Sequence, residues 1–525
     1  MKISPSWFIF VFFTFIEISV LSQEYFNNSY DITGYGLWNY GTTILTNDSG
    51  YLIGAETCWP NSIGKKRISI VQLDLQGNQQ WIKYYEQSNG SVYGFGVGYP
   101  GFVIKTLPEG YAITGIRRDP YPGWIRDQGI LFRLNENFDT LWTKLYGDRV
   151  EPCDTELIIR QVRQLPDRGF VLFGGPMDYN DQRPHFTLIR TDSMGNKLWQ
   201  RFYGQPPFLY YAFSFVNTSD KGFVMGGMRY TYPQEQSFDP YLIKIDSFGI
   251  EEWSMNLGSE FLDYSISVDT MYDGNIIVGT VIADSSLGND SYYGRICFTK
   301  LDNDGSIIWQ RKYGSSNVND QLWSIKSLPN GKIAATGSGY RYYPGSGPEP
   351  RIGWIICTNA EGDSIWYREY SLVQGENSTN FLYDIVQTND SGFIACGYIN
   401  PVYPDPGPQN TWVIKVDSIG CESPSYCWVN VEEEEEEMIP AEKGKMVLFP
   451  NPAVDILNLS LPGGQFRQGM EVHFYNIFGQ VQEKLVVSVP SIRLQVDVTG
   501  WPPGIYIVRI HLKGALVALE KFIVQ

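Results

Sequence analysis

The sequence contains few histidines, little charge and no metal-binding pattern. Only three of its 525 residues are His, and Asp, Glu, Lys and Arg together make up 18%. So few histidines leave little material for histidine-based catalysis or a zinc site, and no C-x-x-C or Cys/His spacing indicates a metal. The formal net charge of −17 argues against nucleic acid as a partner. We therefore predict no cofactor and no metal, leaving calcium open.

Long hydrophobic runs are also missing. The apolar run from Trp7 to Ile16 is shorter than the ~20 residues that a membrane span needs. It follows Lys2 and precedes a small-residue cleavage site at Val20-Leu21-Ser22, which predicts a signal peptide over residues 1–22. The alternative is an unprocessed hydrophobic N-terminus, and Glu17 is the residue that fits a signal least. We expect an exported protein that does not span the membrane.

Cysteine is scarce, and its number, seven, is odd. In an exported protein disulfides can form, and Cys421 with Cys427 is the disulfide candidate because only a short segment separates them. Cys58 and Cys153 fall in predicted loops. The remaining cysteines lie within apolar strand patterns and are predicted to be buried hydrophobic residues: Cys297, Cys357 and Cys396.

Glycine, proline and aromatic residues are plentiful, and they recur with a period. Turn-forming Gly and Pro number 53 and 30, and aromatics make up 15%, which excludes a disordered chain and favours many short strands. A turn followed by tryptophan repeats at intervals of 54 to 61 residues. Upstream of each tryptophan, a turn and a glycine open a further strand. The same turn-and-glycine pattern occurs once more after the last tryptophan, so it has seven members. The repeated tryptophans are Trp81, Trp142, Trp199, Trp253, Trp309 and Trp366.

Each repeat predicts four short antiparallel strands. A lone four-stranded sheet cannot bury both faces, so the repeats must pack on one another, and radial packing gives a β-propeller. We predict a seven-bladed propeller over residues 24–428, with the tryptophans docking neighbouring blades. The seventh repeat lacks its last strand, since Pro424 stands where tryptophan is expected. We predict that Tyr30 to Trp38 completes it; an open array would leave an exposed sheet edge.

A change of composition marks the end of the repeats. Glu432 to Glu437 is a self-repelling acidic run within a predicted linker over residues 429–445. Residues 446–525 then alternate apolar and polar residues without the tryptophan repeat. Their strand pattern predicts a small Ig-like β-sandwich. The chain is thus predicted to be all-β.

The C-terminal blocks carry a family resemblance. The blocks FPNPA, VHFYNIFGQ and LQVDVTGWPPGIYIVR and the terminal KFIVQ resemble the type A C-terminal sorting domain of the type IX (Por) secretion system of Bacteroidetes. The resemblance implies export through the periplasm to the surface or exterior of a Gram-negative cell, with the secretion machinery as a partner. It covers residues 446–525 only. The motif residues are Phe449, Pro450, Asn451, Pro452, Gly479, Gly504 and Tyr506.

The propeller repeats are similar in style to tryptophan-docked bacterial propellers, including quinone-binding ones. The spacing of aspartate, glycine and tryptophan is one residue shorter than in that pattern, and it also departs from the sialidase aspartate box. Neither the quinone cofactor nor glycosidase residues are therefore carried over.

The long loops between second and third strands hold the candidate ligand-binding residues. Variable loops on a rigid scaffold commonly bind ligands, and Tyr, Trp and Arg are frequent anchors. The alternative is that these rings brace proline-rich loops. The candidates are Trp59, Arg117, Tyr121, Trp124, Tyr179, Tyr230, Tyr232, Tyr292, Tyr293, Tyr340, Tyr343 and Tyr403.

The sequence therefore predicts a secreted or cell-surface binding protein, monomeric, with a glycan or protein ligand on the loop-rich face. One alternative is an extracellular carbohydrate-active enzyme that uses loop carboxylates, of which Asp119, Asp127, Asp178 and Asp181 are candidates. The spacing selects no pair among them, so catalytic residues remain unassigned. Another alternative is a structural surface component.

Overall fold

The computed structural model describes the chain in segments, and the described part is all-β. The segments are residues 25–34, 38–59, 62–86, 92–94, 100–121, 124–147, 157–175, 185–205, 207–231, 238–259, 261, 263–288, 291–314, 318–341, 350–375, 377–402, 407–423, 446–461, 466–476, 481–512 and 515–525. Within them no helix is present, and so none that could cross a membrane. The chain divides into two compact units, Met1–Tyr426 and Cys427–Gln525.

The first sheet shows how each repeat folds. Consecutive strands pair antiparallel, and the tight turn between the first two strands has Asn47 Oδ1 accepting a hydrogen bond from Ser49 N at 3.1 Å. Nearly all described residues of the two middle strands are buried on both faces, whereas most residues of the last strand are exposed or half-buried. In spatial order the strands are β2 (Asn39–Asn47), β3 (Gly50–Trp59), β4 (Ser62–Leu73) and β5 (Gln79–Tyr85).

The next sheets repeat this order, and the second has a divided inner strand. There β6 (Val92–Gly94) and β7 (Val103–Lys105) both pair with β8 (Tyr111–Tyr121), which is followed by β9 (Trp124–Leu134) and β10 (Thr140–Tyr146). The following sheets are β11 (Ile158–Gln164), β12 (Phe170–Gly175), β13 (Phe186–Thr191) and β14 (Lys197–Tyr203), then β15 (Phe208–Asn217), β16 (Phe223–Thr231), β17 (Phe238–Ile245) and β18 (Glu251–Asn256).

The last strands before the linker form antiparallel groups that touch through single parallel bridges. The bridges join Gly294 to Asn319 and Arg351 to Thr379. The strands are β19 (Tyr264–Thr270), β20 (Ile276–Gly288), β21 (Ser291–Leu301) and β22 (Ile307–Tyr313); β23 (Val318–Ser327), β24 (Ile333–Arg341), β25 (Arg351–Thr358) and β26 (Ser364–Tyr370); and β27 (Thr379–Gln387), β28 (Phe393–Asn400) and β29 (Asn410–Val416).

An N-terminal strand completes the last group, but not with the residues that the sequence suggested. The pairing strand is β1 (Phe26–Tyr30), antiparallel to β29, rather than Tyr30 to Trp38. Asn27 fixes it, because its Oδ1 accepts a hydrogen bond from Trp412 Nε1 at 2.6 Å and its Nδ2 donates to Glu422 Oε2 at 2.7 Å. Phe26 and Tyr30 repeat the Trp-x-x-x-Tyr spacing of five other outer strands, with Phe in place of Trp.

On the outside, each outer strand docks on the turn of the next sheet. The rings of Trp142, Trp253, Trp309 and Trp366 lie against turn glycines; a Cβ at Gly362 would come within 2.8 Å of Trp309. Trp253 Nε1 also donates to Asn303 O at 3.0 Å, and Trp366 Nε1 to Ser418 O at 3.1 Å. The tyrosine four residues on donates its hydroxyl hydrogen to a turn carbonyl. These pairs are Tyr85–Phe138 (2.8 Å), Tyr146–Gly195 (2.8 Å), Tyr203–Gly249 (3.0 Å), Tyr313–Gly362 (2.6 Å), Tyr370–Gly420 (2.7 Å) and, from β1, Tyr30–Gly77 (2.6 Å).

The other tryptophans of the repeat differ slightly. Trp81 lies 5.1 Å from the ring of Phe138, which replaces the turn glycine and adopts a φ of 62°. Trp199 is half-buried, with the Arg201 guanidinium 5.7 Å from its ring.

On the inside, polar residues at strand bulges connect neighbouring inner strands. Each bulge leaves a side chain free to bond the next strand's backbone. The bonds run Gly101 N to Thr43 Oγ1 (3.0 Å), Gln161 Nε2 to Pro100 O (2.6 Å), Phe215 N to Gln161 Oε1 (2.7 Å), Val268 N to Ser214 Oγ (3.2 Å), Ile325 N to Ser267 Oγ (3.2 Å), Ser324 Oγ to Asp384 Oδ1 (2.9 Å) and Ile44 N to Asp384 Oδ2 (3.1 Å). The series returns to the first sheet.

Apolar packing closes the same junction. Ile44, Ile53 and Val71 of the first sheet share a buried cluster with Cys396 and Val413 of the last group. The inner strands are thus covered on both faces by neighbouring sheets.

The cysteines follow the strand pattern with one exception. Cys297, Cys357 and Cys396 are buried within strands, which confirms the expectation for them. Cys58 is also buried in β3, so its placement in a loop was wrong; the strand is longer than the turn signals suggested. Cys421 is disulfide-bonded. Cys153 and Cys427 lie outside the described residues, so the Cys421–Cys427 pairing stays a prediction.

The C-terminal unit packs two small sheets around one core. One sheet is β30 (Val447–Phe449), β31 (Ile456–Ser460) and β34 (Leu494–Asp497). The other has the order β33 (Val481–Val486), β32 (Met470–Asn476), β35 (Gly504–Leu512) and β36 (Ala515–Val524). Leu457 from the first sheet and Phe474, Val508 and Phe522 from the second lie in the shared core.

Candidate functional site

The structure describes only part of the predicted ligand-binding set. Arg117, Tyr230 and Tyr340 have described side chains. For Trp59, Tyr121, Trp124, Tyr292 and Tyr293 the backbone lies in strands β3, β8, β9 and β21, while the side chains fall outside what is described. The others lie outside the described residues: Tyr179, Tyr232, Tyr343 and Tyr403.

Arg117 belongs to a group of ion pairs on β8 and β9. Its Nε donates to Asp119 Oδ1 at 2.9 Å. The neighbouring Arg118 holds the buried Asp127 through two hydrogen bonds, of 2.7 and 2.5 Å. Two carboxylates considered for glycoside chemistry are therefore bonded to guanidinium groups. The other two, Asp178 and Asp181, lie outside the described residues.

Tyr230 lies in an aromatic group at the ends of β16 and β17. Its ring stacks on Phe238 at 4.8 Å and 19°. The adjacent Arg229 lies 4.4 Å from the Phe208 ring and pairs with Asp239 at 3.2 Å. This arginine therefore has both an aromatic surround and a carboxylate partner.

Tyr340 lies beside a second arginine, Arg351. The Arg351 guanidinium carbon is 4.0 Å from the centre of the Tyr340 ring and 4.5 Å from that of Phe381. Arg351 Nη1 donates to Gln321 Oε1 at 3.2 Å. Tyr340 is 43% exposed, so part of its ring faces solvent.

Further rings extend this group across neighbouring sheets. Phe381 and Tyr398 stack at 4.9 Å and 11°, and Tyr383 lies 5.7 Å from Tyr398. We define the aromatic cluster as Tyr40, Trp323, Tyr340, Phe381, Tyr383 and Tyr398. Tyr40 of the first sheet joins it at 5.1 Å from Tyr398, and Trp323 at 5.1 Å from Tyr383.

The cluster lies where the loops between second and third strands leave the sheets. Tyr340 is close to the end of β24, and Arg351 is the first residue of β25. Tyr340 was predicted from the sequence because it lies at the start of a Tyr-rich loop pattern, whereas the other rings of the cluster were missed. A usable signal was the large aromatic residue in the middle of the inner strand of adjacent repeats, at the bulges where Trp323 and Tyr383 lie.

The cluster's neutral phenols lie beside a partly buried cation, the Arg351 guanidinium. Burial raises the pKa of both Tyr383 and Tyr398, and each phenol also influences the pKa of the other. Burial lowers the pKa of Arg351, while nearby tyrosines oppose that shift. Arg351 Nε and Trp323 Nε1 are buried and have no hydrogen-bond partner among the described residues. The cluster thus offers ring faces, hydroxyls and a guanidinium.

The motif residues of the C-terminal unit hold its two chain ends together. Asn451 Oδ1 accepts a hydrogen bond from Ile523 N at 2.8 Å, and Tyr506 donates its hydroxyl hydrogen to Pro502 O at 2.7 Å. Phe449 lies 4.7 Å from the Arg493 guanidinium. Pro450 and Pro452 flank Asn451, and Gly504 opens β35. Gly479 lies outside the described residues.

This unit matches a known family. Residues 447–525 fit the family described as "Secretion system C-terminal sorting domain". These residues are similar to a sorting domain. The sorting domain indicates that the protein is exported to the cell surface or secreted. The match leaves the large first unit unassigned, and no curated protein matches the sequence.

Several solved structures are similar to this chain at low identity. A protein of unknown function from Dyadobacter fermentans DSM 18053 is 13% identical, with a TM-score of 0.39 over 62% of this chain and 98% of that one. A PL25 ulvan lyase bound to a GlcA- and Rha3S-containing saccharide is 8% identical, with a TM-score of 0.47 over 74% and 96%. The β-propeller domain of the Trilobed protease from Pyrococcus furiosus is 8% identical, at 0.37 over 71% and 93%.

Proposed function

We propose that this protein is a secreted or surface-exposed glycan-binding protein. Its first unit, with boundaries near residues 24 and 428, is a seven-bladed propeller that β1 closes. Its C-terminal unit is an Ig-like sandwich that the secretion machinery recognises. The protein acts as a monomer. The hydrogen bond that Ile44 N donates to Asp384 Oδ2 supports a closed ring, because an open array would lack this contact between the last and the first sheet.

One observation carries the binding function: aromatic rings from adjacent sheets converge at the end that bears the long loops. Such rings supply large apolar contact area at small entropic cost, and their faces pack on the C–H faces of sugars. Tyr340 keeps a solvent-exposed ring beside the buried ones. The neighbouring phenol hydroxyls and guanidinium can bond sugar hydroxyls, as in sites with few, well-placed polar groups.

The test is a glycan array probed with the full chain and with Tyr340→Ala. Wild-type protein should bind a restricted set of glycans, and Tyr340→Ala should lose roughly tenfold or more in affinity, the effect expected of an aromatic anchor. The matched control is Tyr272→Ala. Tyr272 is 88% exposed in the turn between β19 and β20, at the opposite end of the strands.

Two results would contradict the proposal. One is the absence of any bound glycan, which would favour a structural surface role. The other is an equal loss of binding in both variants, which would show that binding does not depend on the aromatic cluster. The enzymatic alternative gains no support from Asp119 and Asp127, since both are bonded to arginines.

A further inference from the structure

Arg351 differs in its charge balance from several other partly buried arginines of the first unit. No carboxylate among the described residues pairs with it; its described contacts are Gln321 Oε1 and the rings of Tyr340 and Phe381. Its Nη2 also has no hydrogen-bond partner among those residues. By contrast, the following arginines each pair with a carboxylate: Arg67, Arg117, Arg118, Arg190 and Arg229.

A guanidinium that is withdrawn from water without a counter-ion is costly. Buried charges in proteins are normally paired, because an uncompensated one destabilises the fold. Arg351 has in addition a buried Nε without a described partner. A negatively charged group of a ligand would supply the missing counter-ion.

The backbone of Arg351 is held in place before any ligand arrives. Its N–H donates to Ser378 O at 2.9 Å, and its carbonyl accepts from Asn380 Nδ2 at 3.0 Å. Asn380 is fully buried and also bonds Val373, so it is a positioning residue for Arg351. Since the side chain lies between Tyr340 and Phe381, the guanidinium plane is presented at a defined place, which limits the entropy lost on binding.

From these contacts we infer that the aromatic cluster binds an acidic saccharide, with Arg351 contacting its anionic group and Tyr340 a sugar ring beside it. This inference rests on the proposed glycan-binding function. The anion is a carboxylate or a sulfate ester, both of which guanidinium binds through paired hydrogen bonds. The competing ligand is a protein with an acidic loop, and the test below distinguishes such a protein from an acidic saccharide.

The test compares matched acidic and neutral glycans with the full chain. The pairs are polygalacturonate with its methyl ester, and a sulfated galactan with its desulfated form. Wild-type protein should prefer the acidic member, and the preference should weaken as salt is raised. Arg351→Gln should lower affinity for the acidic member by roughly 10- to 100-fold, while Arg351→Lys, which keeps the charge, should lose less.

Arg229→Gln is the matched control. Arg229 also lies between aromatic rings, but Asp239 already neutralises it, so its replacement should leave the acidic preference unchanged. Melting temperatures of all variants separate lost binding from lost folding, and Arg351→Lys keeps the test informative if Arg351→Gln unfolds.

The outcomes distinguish this inference from the proposed function. Equal binding of acidic and neutral members, unaffected by Arg351→Gln, would overturn the acidic specificity and leave glycan binding standing. Failure to bind any glycan, or capture of an acidic protein alone, would overturn both. Preference for the uronate pair or for the sulfate pair identifies the anion.

Discussion

At the residue scale, the same side-chain types have different roles according to their partners. Arg229 and Arg351 both lie between aromatic rings, yet only Arg229 has a described carboxylate partner. The sequence could supply Tyr340 as a candidate, because it sits in a Tyr-rich loop pattern. It could not supply Phe381 or Tyr398, because nothing in a single strand tells which rings of neighbouring sheets will meet.

Asp263 gives a pH-dependent prediction. Burial raises the pKa of this carboxyl from 3.8 to about 6, although hydrogen bonds from Ser259 and Ala283 oppose the shift. A carboxyl whose pKa is higher in the folded state stabilises the fold fully below pH ~4, and loses that contribution as pH rises through ~6. Relative to Asp263→Asn, wild type should therefore lose up to about 3 kcal/mol of unfolding free energy between pH 4 and 6.5.

Urea unfolding of both proteins across this range measures the effect. Asp220→Asn is the control with the opposite sign, because Lys244 lies 2.7 Å from Asp220 and helps to hold the pKa of that carboxyl well below its usual range. Its stabilising contribution is present above pH ~4 and is lost on acidification. Parallel curves for wild type and Asp263→Asn would contradict the prediction.

At the element scale, much of the strand pattern was readable from the sequence. The turn-and-tryptophan repeat and the alternating strands predicted the all-β fold, which the structure confirms. The closing strand was placed several residues too late, because Phe26 stands where the other outer strands have tryptophan. The spacing of Phe26 and Tyr30 was the better signal, since the tyrosine hydroxyl makes the same bond as in the other strands.

The closing strand should contribute strongly to stability. Deleting residues 25–30 removes the pairing with β29, the Trp412–Asn27 bond and the burial of Phe26. We expect a loss of several kcal/mol and a fall in melting temperature on the order of 10 °C. Differential scanning calorimetry measures the fall.

Ser29→Ala, an exposed change within the same strand, serves as the control and should melt close to wild type. A synthetic peptide of residues 25–34, added to the deletion variant, should restore part of the loss because it can pair with the vacant edge of β29. An unchanged melt on deletion would show that the last sheet is stable without β1.

At the scale of the whole molecule, the two units have separate tasks. The sorting domain indicates export, whereas the candidate binding residues all lie in the first unit. The family match was recognisable from the sequence because its motif residues lie in order along a short stretch. The ligand class was not recognisable from the sequence, because the aromatic cluster joins residues as far apart along the chain as Tyr40 and Tyr398.

Removal of residues 446–525 should stop export without unfolding the first unit. The truncated protein should accumulate inside the cell envelope, because the remaining chain lacks the segment that the secretion route requires. Immunoblots of culture medium, intact-cell surface and periplasmic fractions measure its location. Val489→Ala, a change at an exposed residue of the sorting domain, is the control that should export normally. Continued appearance of the truncated protein outside the cell would contradict this assignment.

The bond between Asn27 and Glu422 has a topological consequence. It brings together the places where the chain enters and leaves the first unit, although 395 positions separate them. A circular permutant is therefore accessible: a short linker could join residue 423 to residue 25, and new termini could open at the exposed turn between β15 and β16. In such a molecule β1 would follow β29 directly along the chain, and closure would become a local hairpin instead of a contact between distant ends.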